Sequence, residues 1–523
     1  MRRVETEVLV IGGGATGTGV LRDLAMRGFK ALLVEQRDLT HGTSGRYHGL
    51  LHSGARYAVR DTATAAECIQ ENRILRRIMP HCIEDTGGFF VVTPSDDIAF
   101  AEQFVAACRR ADIPIADVPI AQMLREEPLL NPGILRCFRV PDGSADSFAA
   151  AEANVASARE YGAQVYTYHP VERLRLDLGR VGGAICHDLI RDEEVVISAD
   201  AVVNAAGAWS GQIAALAGVR VPVRCGKGTM VAVNHRVLHT VVNRCRPASD
   251  GDIIVPAHTV VVIGTTDVPV DSPDRYTIEP WEVRLMLDEG AQSVPGLASM
   301  RILRAWAGVR PLYKSGPADG NRDVSRGHAL LDHSTRDGVG GLVTIVGGKW
   351  TTYRLMAQDA VDRVCQLLGT ARACRTHLEP LPGHGGANKV AGHYLGTPLR
   401  RVEAAGGAGE IVCECELATR TDVEHAVATG TAATIDDIRR DVRLGMGPCQ
   451  GGFCGYRAAG LVHALRRPHG AGCRRLLTDF LRARWRGLQP VLAGDQLRQA
   501  RLNEMIYAGV LSADGTPADG DGM

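Results

Sequence analysis

Apolar runs punctuated by glycine open this chain. In EVLVIGGGATGTGVLRDLAMRGFKALLVE, residues 7 to 11 form a run of buried-strand type, and Gly12, Gly14 and Gly17 follow as G-x-G-x-x-G. Apolar positions then recur at helical spacing as far as Arg27, and Gly28 ends the pattern. Ala31 to Val34 predicts a second buried strand closing on Glu35. Later, ADAVVNAAGAWS predicts a strand with a glycine turn at Gly207, and LVTIV predicts another ending at Gly347 and Gly348. From Thr370 to Glu410 the periodicity fades into a glycine-rich connection. Beyond it, Thr421…Glu424 and Thr434…Asp437 are capping-box signatures that predict two short helices. LLTDFLRARWRGLQPVL, with Trp485, is a basic amphipathic helix pattern expected to pack on the chain itself, with a partner or membrane surface as the alternative. The closing SADGTPADGDGM predicts disorder.

Strand, glycine turn, helix, strand and terminal acid together are the signature of a dinucleotide site. The glycines allow a tight turn and let a pyrophosphate approach backbone amides at the helix start, while Glu35 would accept hydrogen bonds from the adenosine ribose. Spacing alone leaves NAD and FAD open. After Glu35, however, the chain runs into QRDLTHGTSGRYHGLLHSGARY, rich in glycine and hydroxyl residues, instead of further strand–helix units.

At 523 residues the chain is long for one core, so two or three domains are expected. Formal net charge is zero, which gives no field for nucleic acid or acidic lipid. Fourteen cysteines would suit a secreted disulfide protein, but the size and the interrupted start MRRVETEVLVIGGG predict thiols in a reducing cytoplasm. The charge-free stretch from Ala201 to Val219 is broken by polar residues and glycines and predicts no membrane span. Four cysteines are gathered as Cys413-x-Cys415 and Cys449-x4-Cys454, a set that can hold zinc or an iron–sulfur cluster. The spacing departs from the paired C-x2-C of structural zinc sites.

RYHGLLHSGARYAVRD, VVNRCRPASDGDIIVP, IGTTD, RILRAWAGVRPL, DVSRGHALLDH and GGKWTTYRLMA resemble segments of the FAD-dependent glycerol-3-phosphate dehydrogenases. With the cysteine segment included, the chain is similar to the A-subunit family of the bacterial anaerobic, quinone-linked enzymes. The resemblance implies FAD and an α/β (α+β overall) fold. A Rossmann-like FAD-binding domain interleaved with a mixed β-sheet substrate domain would occupy residues 1–375, followed by a linker at 376–408. A small helical [2Fe–2S]-binding-like domain would occupy 409–468 and a helical tail 469–523. The cysteine segment resembles the bacterioferritin-associated-ferredoxin type, which implies Cys413, Cys415, Cys449 and Cys454 as ligands of a one-electron relay. That type closes with C-x2-C, where this chain has Cys449-x4-Cys454.

Oxidising a secondary alcohol with flavin needs a hydride acceptor, a base for the hydroxyl proton and a grip on the anionic substrate. A neutral imidazole suits the base, and His52 in LHSGARY is the first candidate, with Arg56 beside it favouring the neutral form. His48 is the second. The resemblance assigns Arg310, Arg326, Lys349 and Tyr57 to substrate, with Lys349 also in reach of flavin. It adds Thr43, Ser44, Gly207, Gly347 and Gly348 to the cofactor contacts. Single-subunit relatives carry a histidine in K-G-S-H where this chain has KGTM, with Met230. Glycerol 3-phosphate is the implied substrate. A second flavin subunit, together with a membrane-anchoring iron–sulfur subunit, would link the chain to quinone at the inner face of the membrane. The rival functions are an amine- or opine-type FAD oxidoreductase and a non-catalytic FAD electron-transfer subunit.

Overall fold

Eight strands build the sheet that the N-terminal pattern predicts, in a computed structural model that describes residues 1–313, 327–383, 396–404, 406, 410–428, 432–466 and 471–510. Strand β1 (Arg2–Ile11) starts five residues before the apolar run, because Arg2 to Thr6 pair with Val195 to Ala199 although none of their side chains is fully buried and Arg3 and Glu5 are exposed. Helix α1 (Ala15–Met26) and β2 (Ala31–Val34) follow. β1 lies between β2 and the strand Glu193–Asn204, parallel to both. Gln164–Tyr166 and Leu342–Gly347 extend the parallel set on either side. A hairpin of Val171–Asp177 and Arg180–Asp188 adds antiparallel strands to the sheet, as does His328–Asp332.

Both faces of this sheet are covered, which is why its central strands read as continuous apolar runs. Val8 and Val10 pack against Val20, Leu21 and Leu24 of α1 and against Ala357, Val361 and Val364 of the helix Tyr353–Leu367. Leu9 and Ile11 pack on the other face with Leu32, Val34, Ile197 and Val202. The glycine turns that leave β1, Glu193–Asn204 and Leu342–Gly347 all lie at the carboxyl edge, where doubly wound sheets bind ligands.

A second sheet of nine strands is mixed, with one parallel pair. Its longest ladder joins Val223–Val233 to Ile302–Tyr313. Strands Gly88–Val92 and Arg136–Val140 of this sheet come from an earlier part of the chain. The chain therefore passes from the first sheet to the second and back twice, which is the interleaving expected above.

The cysteine module is a two-stranded ladder, Ile411–Cys413 with Ala418–Thr419, and the helices Arg420–Ala428, Ile435–Val442 and Cys454–Arg466. Thr434 and Asp437 form the expected capping box. The other helix starts earlier than the Thr421…Glu424 signature predicts. Thr419 ends its strand and caps the helix at once, exchanging hydrogen bonds with Asp422 at 2.9 and 3.2 Å, while Glu424 pairs with Arg420 at 2.7 Å.

Two stretches whose composition predicts connections are more ordered than that composition suggests. Arg22 of α1 donates to the carbonyls of Thr376 and Glu379, and Leu381 is buried, so residues 376–383 lie on the FAD-type domain. Gly396–Ala404 is a helix. Of the tail, helix Ala471–Leu488 places Phe480 in the core of the cysteine module with Val412, Ile438 and Val462. The Tyr507 hydroxyl donates to the carbonyls of Gly451 and Gly452. The segment expected to be disordered, residues 512–523, lies outside the described residues. Every described cysteine is a free thiol.

Candidate functional site

A cavity of about 1030 Å³ opens at the carboxyl edge of the first sheet and reaches the second. It brings together Gly12, Gly14, Glu35, Thr43, Ser44, Gly207, Gly347 and Gly348 with His48, His52, Arg56, Tyr57, Arg310 and Lys349. Of the residues assigned from sequence, Gly17 does not line it and Arg326 lies outside the described residues.

The glycines of the turn have different tasks. A Cβ on Gly17 would sit 1.8 Å from the Gly12 carbonyl oxygen, and one on Gly12 would sit 2.7 Å from the Ala205 oxygen, at a backbone φ of +111°. These two let the turn fold against α1 and the neighbouring strand. A Cβ on Gly14 would meet only the Ser44 side chain, its hydroxyl at 3.0 Å, so this glycine keeps cavity space open. The N-cap Gly14 brings no side chain of its own to the N-terminus of α1, which lies at the cavity with its Ala15 amide taken by Ser44. Glu35 accepts from the Gly13 amide at 2.6 Å and the Arg37 amide at 3.0 Å, which fixes the carboxylate at the end of β2. Ser44 accepts from Ala15 N–H at 2.9 Å, and Thr43 donates to the Val309 carbonyl at 2.6 Å. The cavity volume, the open helix terminus and the glycine cradle fit FAD.

The polar groups of the second set are held by partners behind them. The His52 amide donates to Thr351, its carbonyl accepts from Asn72, and the next amide, Ser53, donates to buried Asp142 at 2.6 Å. The His52 ring lies 5.3 Å from the Tyr57 ring and 5.9 Å from the His48 ring, centroid to centroid. The Lys349 ammonium stands 5.0 Å from the centre of the Tyr57 ring. Arg310 is braced by Asp267 at 3.1 Å, by the Thr266 carbonyl at 3.0 Å and by the Thr265 hydroxyl.

Arg56 does not simply sit beside His52. Its Nη2 donates to Asp252 at 2.8 Å and to the Ser249 carbonyl at 3.0 Å. Its buried Nη1 has no hydrogen-bond partner among the described residues. The same Asp252 holds Arg246 at 2.6 Å, a second cavity-lining guanidinium, which no feature of its segment RCRPASDGD singles out.

His48 also has more weight than its sequence context suggests. Its ring lies near Met230, the position where the single-subunit relatives carry histidine, with Gly264 between them. Burial, and then the charges of Arg310 and Arg56, push its imidazole down to about 3. The sequence ranks it second, because the neighbours that surround it come from strands of the other sheet.

The four cysteines converge. Cys413 contacts Cys454, which contacts Cys449, which contacts Cys415. Backbone amides of Gly445 and Glu416 donate to the Cys413 sulfur, those of Gly451 and Phe453 to Cys449, and that of Cys449 to Cys415. These contacts hold the Cys413 and Cys449 thiols below the usual range. Cys415 and Cys454, as donors, are pushed up. Among the described residues no three or more such side chains are set around a single metal ion. A two-iron cluster shares its four thiolates between two irons, and amide donors to sulfur are the usual second layer around it. The donor set fits [2Fe–2S].

The neutral imidazoles have a pH consequence. The unfolded His48 takes a proton near 6.5 and the folded one only near 3, as does His41, which is lowered by burial and by Arg46. Below 6.5 the unfolded state binds more protons, so stability is present above that pH and lost on acidification toward 3. Each histidine should cost on the order of 1–2 kcal/mol at pH 5. Thermal unfolding followed from pH 7.5 to 5 should show a falling midpoint, with a shallower fall in His48→Gln. An identical slope in that variant would place the effect elsewhere.

Residues 7–354 match the FAD dependent oxidoreductase family, and residues 411–464 match the BFD-like [2Fe-2S] binding domain. The chain is 42% identical over 525 residues to the A subunit of the anaerobic glycerol-3-phosphate dehydrogenase of Escherichia coli (strain K12), covering 97% of this chain and 96% of that protein. It is 43% identical over 543 residues to the A1 subunit of the corresponding Haloferax volcanii enzyme, covering 98% and 92%. The glycerol-3-phosphate dehydrogenase of Bacillus halodurans, solved with FAD, superposes with a TM-score of 0.66 at 22% identity over 94% of this chain and 96% of that one, a likeness of fold. The similarity to these relatives runs along nearly the whole length, and the chain belongs to the FAD dependent oxidoreductase family, in its branch of anaerobic glycerol-3-phosphate dehydrogenase A subunits.

Proposed function

We propose that this chain oxidises sn-glycerol 3-phosphate to dihydroxyacetone phosphate and delivers the electrons, through its iron–sulfur module and partner subunits, to a membrane quinone. The observation that carries this reading is the near full-length similarity to anaerobic glycerol-3-phosphate dehydrogenase A subunits. The cationic cavity supports it. FAD, when bound, supplies a two-electron hydride acceptor, and the cluster accepts electrons singly.

The protein's own groups orient the substrate and move its proton. Arg310, braced by Asp267, is pre-aimed and loses little freedom on gripping a phosphate. Lys349, Tyr57 and Arg56 complete the anion site, and Arg326 joins it on sequence resemblance. His52 takes the hydroxyl proton. A second reading gives this task to His48, whose imidazole is kept neutral beside Arg310. Arg310 and Arg56 then favour the departure of a proton from the substrate oxygen. Among the described residues no helix is long and apolar enough to cross a membrane, and attachment at the cytoplasmic face is assigned to a membrane-anchoring iron–sulfur subunit beside a second flavin subunit.

Five outcomes test this. Gly14→Val should fold and lose FAD, because its side chain meets only the Ser44 side chain and otherwise enters the cavity. Full flavin content in that variant would show that the turn is not the cradle. Anaerobically, glycerol 3-phosphate should bleach the flavin, and glycerol and proline should not. Arg310→Ala removes a charge-assisted contact of about 1.5–3 kcal/mol, so KM should rise roughly tenfold to a hundredfold. His52→Asn should slow bleaching by about a hundredfold or more if it is the base. A normal rate there, with the loss appearing in His48→Asn, would choose the second reading. Bleaching by amino acids in preference to glycerol 3-phosphate would move the chain to the oxidase class. Finally, Cys449→Ser should keep single-turnover flavin reduction, lose iron absorbance and lose quinone reduction in the assembled complex. Full quinone reduction would make the thiols structural.

A further inference from the structure

Arg443 follows the helix Ile435–Val442 and stands between the two parts of the molecule. Its Nη1 donates to Asp146 at 3.0 Å and its Nε to Glu416 at 3.0 Å. Asp146 belongs to the FAD-binding part, where it also caps the helix Ser147–Glu160 through the amides of Phe148 and Ala149. Glu416 follows Cys415 directly and accepts from Thr259 of the second sheet at 2.6 Å. His258 of the same turn lies 3.6 Å from Asp146 and 3.8 Å from Glu416. Gly447 fills the gap behind them, where a Cβ would come within 2.4 Å of the Cys415 Cβ and 3.3 Å of the Thr259 hydroxyl.

Two further observations show that this seat is specified and not incidental. Arg443, Leu417, Gln450 and His258 all have a positive φ, between 50 and 60°, a conformation rare outside glycine, asparagine and aspartate. Such backbone persists where the surrounding structure over-determines it. The route is also continuous. Tyr47 lines the cavity and donates to the Ala145 carbonyl at 3.2 Å, and the next residue is Asp146. From there it passes through Arg443 to Glu416 and the adjoining Cys415.

We propose that Arg443 is a positioning residue for electron transfer, fixing the cysteine module against the FAD-binding part through Asp146 and Glu416 so that the cluster stays within reach of the flavin. This rests on the electron relay proposed above. Without the guanidinium, two largely buried carboxylates from different parts of the chain face each other with only His258 between them, and their repulsion loosens the seat. The effect falls on one step alone. Hydride arrival at the flavin is untouched, because Arg443 does not line the cavity.

The test uses the full chain carrying FAD and cluster, with electrons introduced in two ways, by glycerol 3-phosphate and by photoreduction of the flavin. In Arg443→Met the flavin should bleach at the parent rate, iron content should match the parent, and the following cluster reduction should slow on the order of tenfold or more. Amide hydrogen exchange at residues 257–260 and 415–417 should quicken in the same variant. Arg443→Lys, able to hold one carboxylate, should fall between. Glu416→Gln removes one of the facing charges and serves as the second variant, with a smaller slowing expected. Parent-like cluster reduction after photoreduction in Arg443→Met, with exchange unchanged, would overturn the proposal. Failure of glycerol 3-phosphate to bleach the parent, with photoreduced flavin still reducing the cluster, would instead overturn the substrate reading and leave the role of Arg443 standing.

Discussion

The contact on which the rest depends is between two backbones, where the Gly17 Cα rests against the Gly12 carbonyl with no room for a carbon between them. That closeness lets α1 start directly beneath the end of β1, so the open helix terminus faces the cavity and not the next strand. Gly12 meets Ala205 in the same manner, so the turn is gripped from two sides. Glu35 is tied by the Gly13 amide to this turn, and Ser44 by the Ala15 amide. Glu35, the glycine turn and the hydroxyl loop thus share one origin.

Around this origin the positive charges are arranged by buried acids. Asp252 holds Arg56 and Arg246, and Asp267 holds Arg310. A buried acid that pairs with a guanidinium reduces its net attraction for an anion, yet it also fixes the direction of the remaining N–H groups. For a small doubly charged substrate, direction decides where the reacting carbon lies, and misplacement is the costlier fault.

Local pattern made the first sheet and its turn legible. Strand, glycines, helix and Glu35 are contiguous, and each constraint acts within some 25 residues. The four thiols were legible for the same reason, as two close pairs. What the sequence did not disclose is long-range. His48 acquires its neighbours from Gly264, Met230 and Arg310, all on strands of the second sheet, so no window of sequence contains the site. Adjacency places Arg56 beside His52, while the fold turns it to Asp252 nearly 200 residues away. The Thr421…Glu424 signature failed because Thr419 could cap the helix first, at the end of a strand that the pattern did not reveal. The weakly periodic residues 376–383 are fixed by Arg22 through backbone carbonyls, an interaction that leaves no side-chain trace in the segment it orders.

The alternation of the chain between two sheets limits how the enzyme can breathe. Between Val34 and Gly88, Val140 and Gln164, Asn204 and Val223, and Tyr313 and His328 it crosses from one sheet to the other. Clamshell closure needs a hinge of a few residues that absorb the rotation. Four crossings would have to bend together, and one of them starts at the Gly207 turn on the cavity wall. The sheets therefore behave as a single rigid wall on either side of the reactants. On the reading proposed above, entry of the alcohol and exit of the ketone then fall to surface loops and not to a closure of the two sheets.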